Sequence, residues 1–159
     1  MAIRILNKSI DLAYDLFPKV YNENRGRRPY HFAFIFKGNQ LISFGVNGYS
    51  PASKILNLGN HFRIKKYQTH RYPHAETDAI SKVWGKMLLD NSCSMTIIRV
   101  NAAGKLQNSK PCKDCQIILD SIGIKKIWWS TNNMEITNGQ RSFEVIDKEI
   151  VNEKRIWIE

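Results

Sequence analysis

The sequence predicts an α/β fold, a three-layer α/β/α sandwich around a mixed central sheet. Three observations predict it. Apolar residues recur at helical spacing in three separate segments, and strand-like apolar runs stand between them. The order along the chain is helix, hairpin, helix, strand, helix, strand. Alternation of this kind lays helices against the faces of a sheet.

The first helix is expected over residues 5–23, where Ile5, Leu6, Ile10, Leu12, Ala13, Leu16 and Phe17 share one face. Pro18 is expected to end or kink it. "YHFAFIFKGNQLISFGVN" then reads as a hairpin. Phe32, Phe34 and Phe36 alternate with Ala33 and Ile35, so both faces of the outgoing strand are apolar and a cover on both sides is expected. Lys37-Gly38-Asn39-Gln40 is the turn, and residues 41–46 return. Residues 48–73 read as irregular, punctuated by Gly48, Pro51, Gly59 and Pro73. A loop of that length is more often functional than idle.

A second helix is expected from residue 74 to residue 90, with Ala75, Ala79, Ile80, Val83, Trp84, Met87 and Leu88 on one stripe and Pro73 before it. Residues 93–101 form a strand, Ala103-Gly104 turns it, and a short extra hairpin lies within 99–110. Residues 112–122 form a helix that Gly123 ends. Residues 124–130 form a further strand, on which Trp128 and Trp129 face opposite ways, so at least one belongs to the core. In 141–159, "SFEVI" and "RIWIE" each fit a short strand or a short helix. No repeat, low-complexity segment or internal linker is visible, so residues 1–159 read as a single domain.

Composition narrows the function. A hydrophobic fraction of 43% supplies a core without disulfides, and 24% charged residues is ordinary for a folded soluble chain. No apolar run is long enough to span a bilayer. Arg4, Lys8, Asp11 and Asp15 interrupt the N-terminal segment, which therefore lacks the apolar stretch of a secretory signal. A reducing, cytoplasmic setting is the expectation. The net charge of +10 is clustered at "RGRR", at "RIKKYQTHR" and around Lys110, Lys113, Lys125 and Lys126. Such clusters attract phosphorylated small molecules or nucleic acid, unless they are only a solvated face.

The chemistry sits in two short stretches. "HAETDAI" begins at His74, and "KPCKDC" carries Cys112 and Cys115. Both lie where a helix begins. Cysteines three apart share one side of a helical turn, and a helix N-terminus favours thiolate. One imidazole and two thiolates make three ligands for zinc and leave a fourth position for water, the catalytic arrangement. Glu76 stands two residues from His74 and points elsewhere on a helix. It is placed to serve as a general base and then a general acid rather than as a ligand.

H-A-E followed by P-C-x-x-C resembles the zinc-dependent cytidine and deoxycytidylate deaminase superfamily. The resemblance covers roughly residues 30–131. It implies that His74, Cys112 and Cys115 bind one catalytic zinc ion and that Glu76 shuttles protons. "GVNGYSP" resembles the G-Y-N-G-x-P stretch of deoxycytidylate deaminases and implies that Asn47 contacts the substrate's sugar and base. "GIKKIWW" resembles the family's Gly-Ile strand and implies that Trp129 lies beside the base. Ala75 matches the small residue whose backbone N–H faces the pyrimidine carbonyl. The resemblance also implies self-association into a homo-oligomer. The chain departs from the family at "QNSKPC", where Gln107 takes the place of the usual threonine, in the extra hairpin before the cysteines, and in the segment 52–73.

Plainer readings stand beside each signal. C-x-x-C alone fits a redox pair or a structural zinc knuckle. The redox reading leaves His74 and Glu76 unexplained. The structural one needs a fourth ligand from His70 or Cys93, and Cys93 reads first as a buried strand residue. Asn47 beside Gly48 also reads as a turn residue. His31 and His61 carry no signal.

Three functions follow. The first is deamination of a free cytosine nucleotide or nucleoside, with Lys54, Arg63, Lys65, Lys66 and Arg71 placed to hold a phosphate. The second is deamination of cytosine or adenine within single-stranded nucleic acid or transfer RNA, which the basic and aromatic stretch "FRIKKYQTHRY" would suit. The third, a non-enzymatic zinc module that binds nucleic acid, leaves Glu76 without a role.

Overall fold

The computed structural model describes residues 2–23, 30–48, 53–69 and 74–155. The elements run α1 (Ala2–Glu23), β1 (Tyr30–Lys37), β2 (Gln40–Val46), α2 (Ser53–Phe62), α3 (Lys65–Thr69), α4 (Ala75–Val83), β3 (Cys93–Val100), β4 (Leu106–Gln107), α5 (Lys113–Ile122), β5 (Lys126–Ser130), β6 (Glu135–Thr137), β7 (Arg141–Ile146) and β8 (Glu149–Arg155). The strands follow the order β2-β1-β3-β5-β6-β7-β8, with β4 paired to β3. This is the expected α/β class, a mixed sheet accompanied by helices. Among the described residues no helix is long and apolar enough to cross a membrane.

The chain forms two compact units. One comprises residues 32–95 and 111–126. It holds the antiparallel β1–β2 hairpin, whose turn places Gly38 at a φ of 61°. Phe32, Ala33, Phe34, Ile35 and Phe36 on β1 are all buried, as the apolar run on both faces predicts. Helix α4 packs on β2, and α2 packs on α3 and α4. Gly45 sets the α4–β2 spacing. A Cβ there would lie 2.3 Å from the Ala75 carbonyl oxygen and from the Ala79 nitrogen, so only glycine lets the helix backbone lie this close to the strand. Two hydrogen bonds pin the same interface: Ser43 Oγ donates to the Ala79 carbonyl at 2.8 Å, and the Val46 N–H donates to Asp78 Oδ2 at 3.0 Å.

The other unit comprises residues 1–31, 96–110 and 127–159. Ile5, Leu6, Ile10, Ala13 and Val20 form the buried stripe of α1. Ser9 is buried on that helix and is satisfied by the Ile5 carbonyl at 2.6 Å and by Thr96 Oγ1 at 2.5 Å. Strands β5 to β8 form an antiparallel meander. Its core contact is Trp128 on Phe143, with ring centres 5.4 Å apart. Asp147 and Lys148 both take positive φ, 50° and 68°, at the tight β7–β8 turn, the geometry that matches the twist of paired strands.

Two expectations are corrected and two are narrowed. Of the end or kink expected at Pro18, the end does not occur: helix α1 continues to Glu23, because burial of its apolar stripe outweighs the lost hydrogen bond and ring clash. The second helix ends at Val83, not at residue 90. The chain turns at residues 84–86, Gly85 adopts a φ of 78°, and Met87 and Leu88 are 45% and 69% exposed. The segment 48–73, read as irregular, contains α2 and α3. Gly59 is an interior residue of α2 and not punctuation, because Tyr67 of α3 packs against it. Of the two forms that "SFEVI" fits, the strand is adopted: the chain after residue 131 forms β6, β7 and β8, and residues 156–159 of "RIWIE" lie outside the described residues.

Candidate metal centre

The first of these two units contains His74, Glu76, Cys112 and Cys115. His74 is the N-cap of α4, with an extended backbone at φ −77°, ψ 161°. Thr77, one turn on, fixes it twice: its hydroxyl accepts from the His74 N–H and donates to the His74 carbonyl, both at 3.0 Å. Cys112 is the N-cap of α5, and its sulfur accepts the Cys115 N–H at 3.5 Å. Gly123 closes the far end of α5 at φ 91°, its N–H bonding the Leu119 and Asp120 carbonyls. Two helix starts are thus held by local capping, and each presents its ligands at an end rich in N–H groups.

The His74 Nδ1 lies 3.5 Å from each sulfur. The three ligand atoms fall within 4.8 Å of one another, and among the described residues no other His, Cys, Asp or Glu joins them. A tetrahedral zinc ion with Zn–N of about 2.0–2.1 Å and Zn–S of about 2.3 Å requires N···S edges of roughly 3.5–3.6 Å. The donor set and its two N···S spacings therefore fit such an ion. Cys93, considered above as a fourth ligand, is buried on β3 outside the group. His70 lies outside the described residues.

The electrostatics separate the two thiols. The hydrogen bond from the Cys115 thiol, with a second from His74, pulls Cys112 down to about 3 against its burial. Cys115 is pushed well above the usual thiol range by that same hydrogen bond, by burial and by the charge of Glu76. Without a metal the pair holds a thiolate and a thiol. Glu76 is 4% exposed. Burial pushes its carboxyl up, while a hydrogen bond to Cys115 and the nearby His74 oppose the rise. Tyr67 is held protonated chiefly by burial, with its hydrogen bond to Cys115 adding to the rise.

The remaining expected residues are placed as follows. Ala75, the first residue of α4, is fully buried. Asn47 follows β2 directly and is half-buried. Trp129 lies on β5 in the other unit, half-buried and paired with Thr137 across the sheet, with the Lys110 ammonium 5.9 Å from its ring centre. Lys54, Arg63, Lys65 and Lys66 are exposed. Of these four, Lys66 is brought to the centre, its Nζ 3.2 Å from His74 Nε2. Arg71 and the basic run 25–28 lie outside the described residues.

Sequence reasoning missed three residues that build the centre. Gly45 was detectable as an isolated glycine inside a strand pattern, a mark of close backbone approach. Thr77, three residues after His74, carried a capping signal. Tyr67 carried none, because its contact is with a neighbour 48 positions away, Cys115.

No family model matches the chain, and no curated protein matches it. Among solved structures it is similar to the dCMP deaminase from the cyanophage S-TIM5 in apo form, with 16% sequence identity and a TM-score of 0.43. The match covers 76% of this chain and 82% of that one.

Proposed function

We propose that the chain is a zinc-dependent hydrolytic deaminase that converts a free cytosine nucleotide or nucleoside, dCMP-like, to the uracil form and ammonia. The observation that carries this reading is a buried carboxyl, Glu76, set against a His/Cys/Cys triad whose N···S spacings are 3.5 Å. His74, Cys112 and Cys115 would hold the ion. When bound there, zinc supplies Lewis acidity that makes water a nucleophile near neutral pH.

Glu76 takes up the two protons of the attacking water in turn, delivering one to ring N3 and the other to the amino group as it leaves. Overall the C4–N bond breaks, a C4–O bond forms, and ammonia departs. A carboxyl raised by burial suits both halves of that transfer, since the best shuttle has a pKa close to the working pH. Asn47 would contact the sugar and base, and the Ala75 N–H would face the pyrimidine carbonyl. A phosphate would be held by the basic residues of the 54–71 segment, Lys66 first, because its ammonium reaches the histidine ring.

The net charge of +10 and the contact of Lys110 with Trp129 favour a second reading, deamination of a base within a single strand. Ammonia release from zinc-loaded protein decides between them, with dCMP, dCTP, deoxycytidine and short oligonucleotides compared side by side. Turnover of a monomer is expected. Inert monomers with a reactive oligonucleotide would overturn the first reading. Glu76→Gln is expected to keep the metal and lose turnover by roughly 100- to 10,000-fold. Loss of metal in that variant would instead make Glu76 a ligand.

A further inference from the structure

We propose that Tyr67 is a positioning residue of the metal centre: its phenol donates a hydrogen bond to the Cys115 sulfur, fixing that ligand and drawing charge from it. This rests on the metal-centre reading above. Tyr67 is fully buried on the short helix α3. Its hydroxyl lies 3.4 Å from Cys115 Sγ. Its ring meets the His74 ring edge-on, at 90° with centres 5.7 Å apart. One side chain therefore touches two of the three ligands.

The direction of the hydrogen bond follows from chemistry. A metal-bound sulfur carries no proton, so in the loaded centre the phenol is the donor. The Cys112 sulfur receives a backbone donor, the Cys115 N–H. Tyr67 supplies the matching donor for Cys115. A donor aimed at a thiolate orients the ligand and lowers its push of electrons onto the metal, which leaves the metal a stronger Lewis acid.

The placement is built into the fold. Gly59 on α2 faces Tyr67, and a Cβ there would lie 2.8 Å from both the carbonyl carbon and the Cβ of Tyr67. The bend between α2 and α3 is tied by the Ile64 N–H on the Gly59 carbonyl at 2.9 Å and the Tyr67 N–H on the Ile64 carbonyl at 3.0 Å. The missing side chain at position 59 is what lets α3 bring its tyrosine up to the sulfur.

The test uses the full chain loaded with Co²⁺. It reads the sulfur-to-cobalt charge-transfer band, and zinc affinity by chelator competition. Tyr67→Phe keeps the ring against His74 and removes only the donor. Its band is expected to move to longer wavelength and its zinc affinity to fall about tenfold or more. A site-specific difluorotyrosine at position 67 is a stronger donor, and its band is expected to move to shorter wavelength. A ring that only fills space predicts no such opposed pair of shifts. Far-UV circular dichroism checks folding; should Tyr67→Phe not fold, the fluorinated chain decides alone, and an unmoved band there overturns the proposal. Bands unchanged in both variants overturn it while leaving the metal centre standing. A wild-type chain that takes up neither cobalt nor zinc overturns the metal centre and the proposal together.

Discussion

Gly45→Ala tests how the fold aims the candidate site. The added methyl carbon would lie 2.3 Å from the Ala75 carbonyl oxygen and the Ala79 nitrogen, against an ordinary contact of 3.4 Å or more, a deficit of about 1.1 Å (3.4 − 2.3). Both obstacles are backbone atoms, so no rotamer change relieves them. Helix α4 must retreat from β2 by about an ångström. That movement strains the Ser43–Ala79 and Val46–Asp78 hydrogen bonds, each contributing about 1 kcal/mol. Overpacking adds roughly 1–3 kcal/mol. A loss of about 3 kcal/mol is expected, which for a chain of this size lowers Tm by roughly 6–12 °C. His74 caps the displaced helix, so its distances to both sulfurs change as well, and zinc affinity is expected to drop at least tenfold. The assay is a thermal melt of the metal-free protein together with a zinc competition titration. Gly38→Ala is the control: nothing lies within 4 Å of its Cβ position, and only its positive φ is strained, at a cost of about 1 kcal/mol. A Gly45→Ala chain that melts within two or so degrees of wild type and binds zinc equally well would refute the close-approach reasoning.

Three further outcomes are expected. Thr77→Val removes both hydrogen bonds that fix the His74 backbone; a loss of about 1–2 kcal/mol in chemical denaturation is expected, with weaker metal binding, and wild-type values for both would count against the cap. Because Cys115 is held protonated in the metal-free centre while Cys112, pulled down to about 3, is not, zinc binding between about pH 7 and 8 should release one proton. Apparent affinity should therefore rise with pH, close to tenfold per unit; an indicator dye that records no proton release would contradict this. Ser9→Ala leaves Thr96 without its buried partner at 2.5 Å and should cost about 1–3 kcal/mol, read by urea denaturation, without altering metal binding; coupled loss of metal would be the unexpected result.

Local chemistry explains what was legible beforehand. The cluster of His74, Cys112 and Cys115 and the buried Glu76 were readable as candidates because each set sits within a few residues of a helix start, where spacing and capping act over one turn. The β1–β2 hairpin was readable from its turn residues and its alternating apolar run. Where neighbours in space overrule neighbours in sequence, the local pattern misleads or leaves alternatives open. Pro18 does not end α1, because burial of the helix stripe carries the helix past it. Gly59 looked like a break and is a contact surface for Tyr67. The apolar stripe after Val83 suggested more helix, yet Gly85 turns the chain and leaves Met87 and Leu88 exposed.

The sequence by itself determined which groups are available to the candidate centre: one imidazole, two thiols and a carboxyl, each at a helix start that local backbone preferences specify. Only the tertiary structure decided that His74 Nδ1 stands 3.5 Å from both sulfurs and that Tyr67 reaches Cys115. Those distances depend on how closely α4 can lie on β2 and α3 on α2. That closeness is set by the absence of a side chain at Gly45 and Gly59, whose effect exists only once the opposing backbone is there to be met.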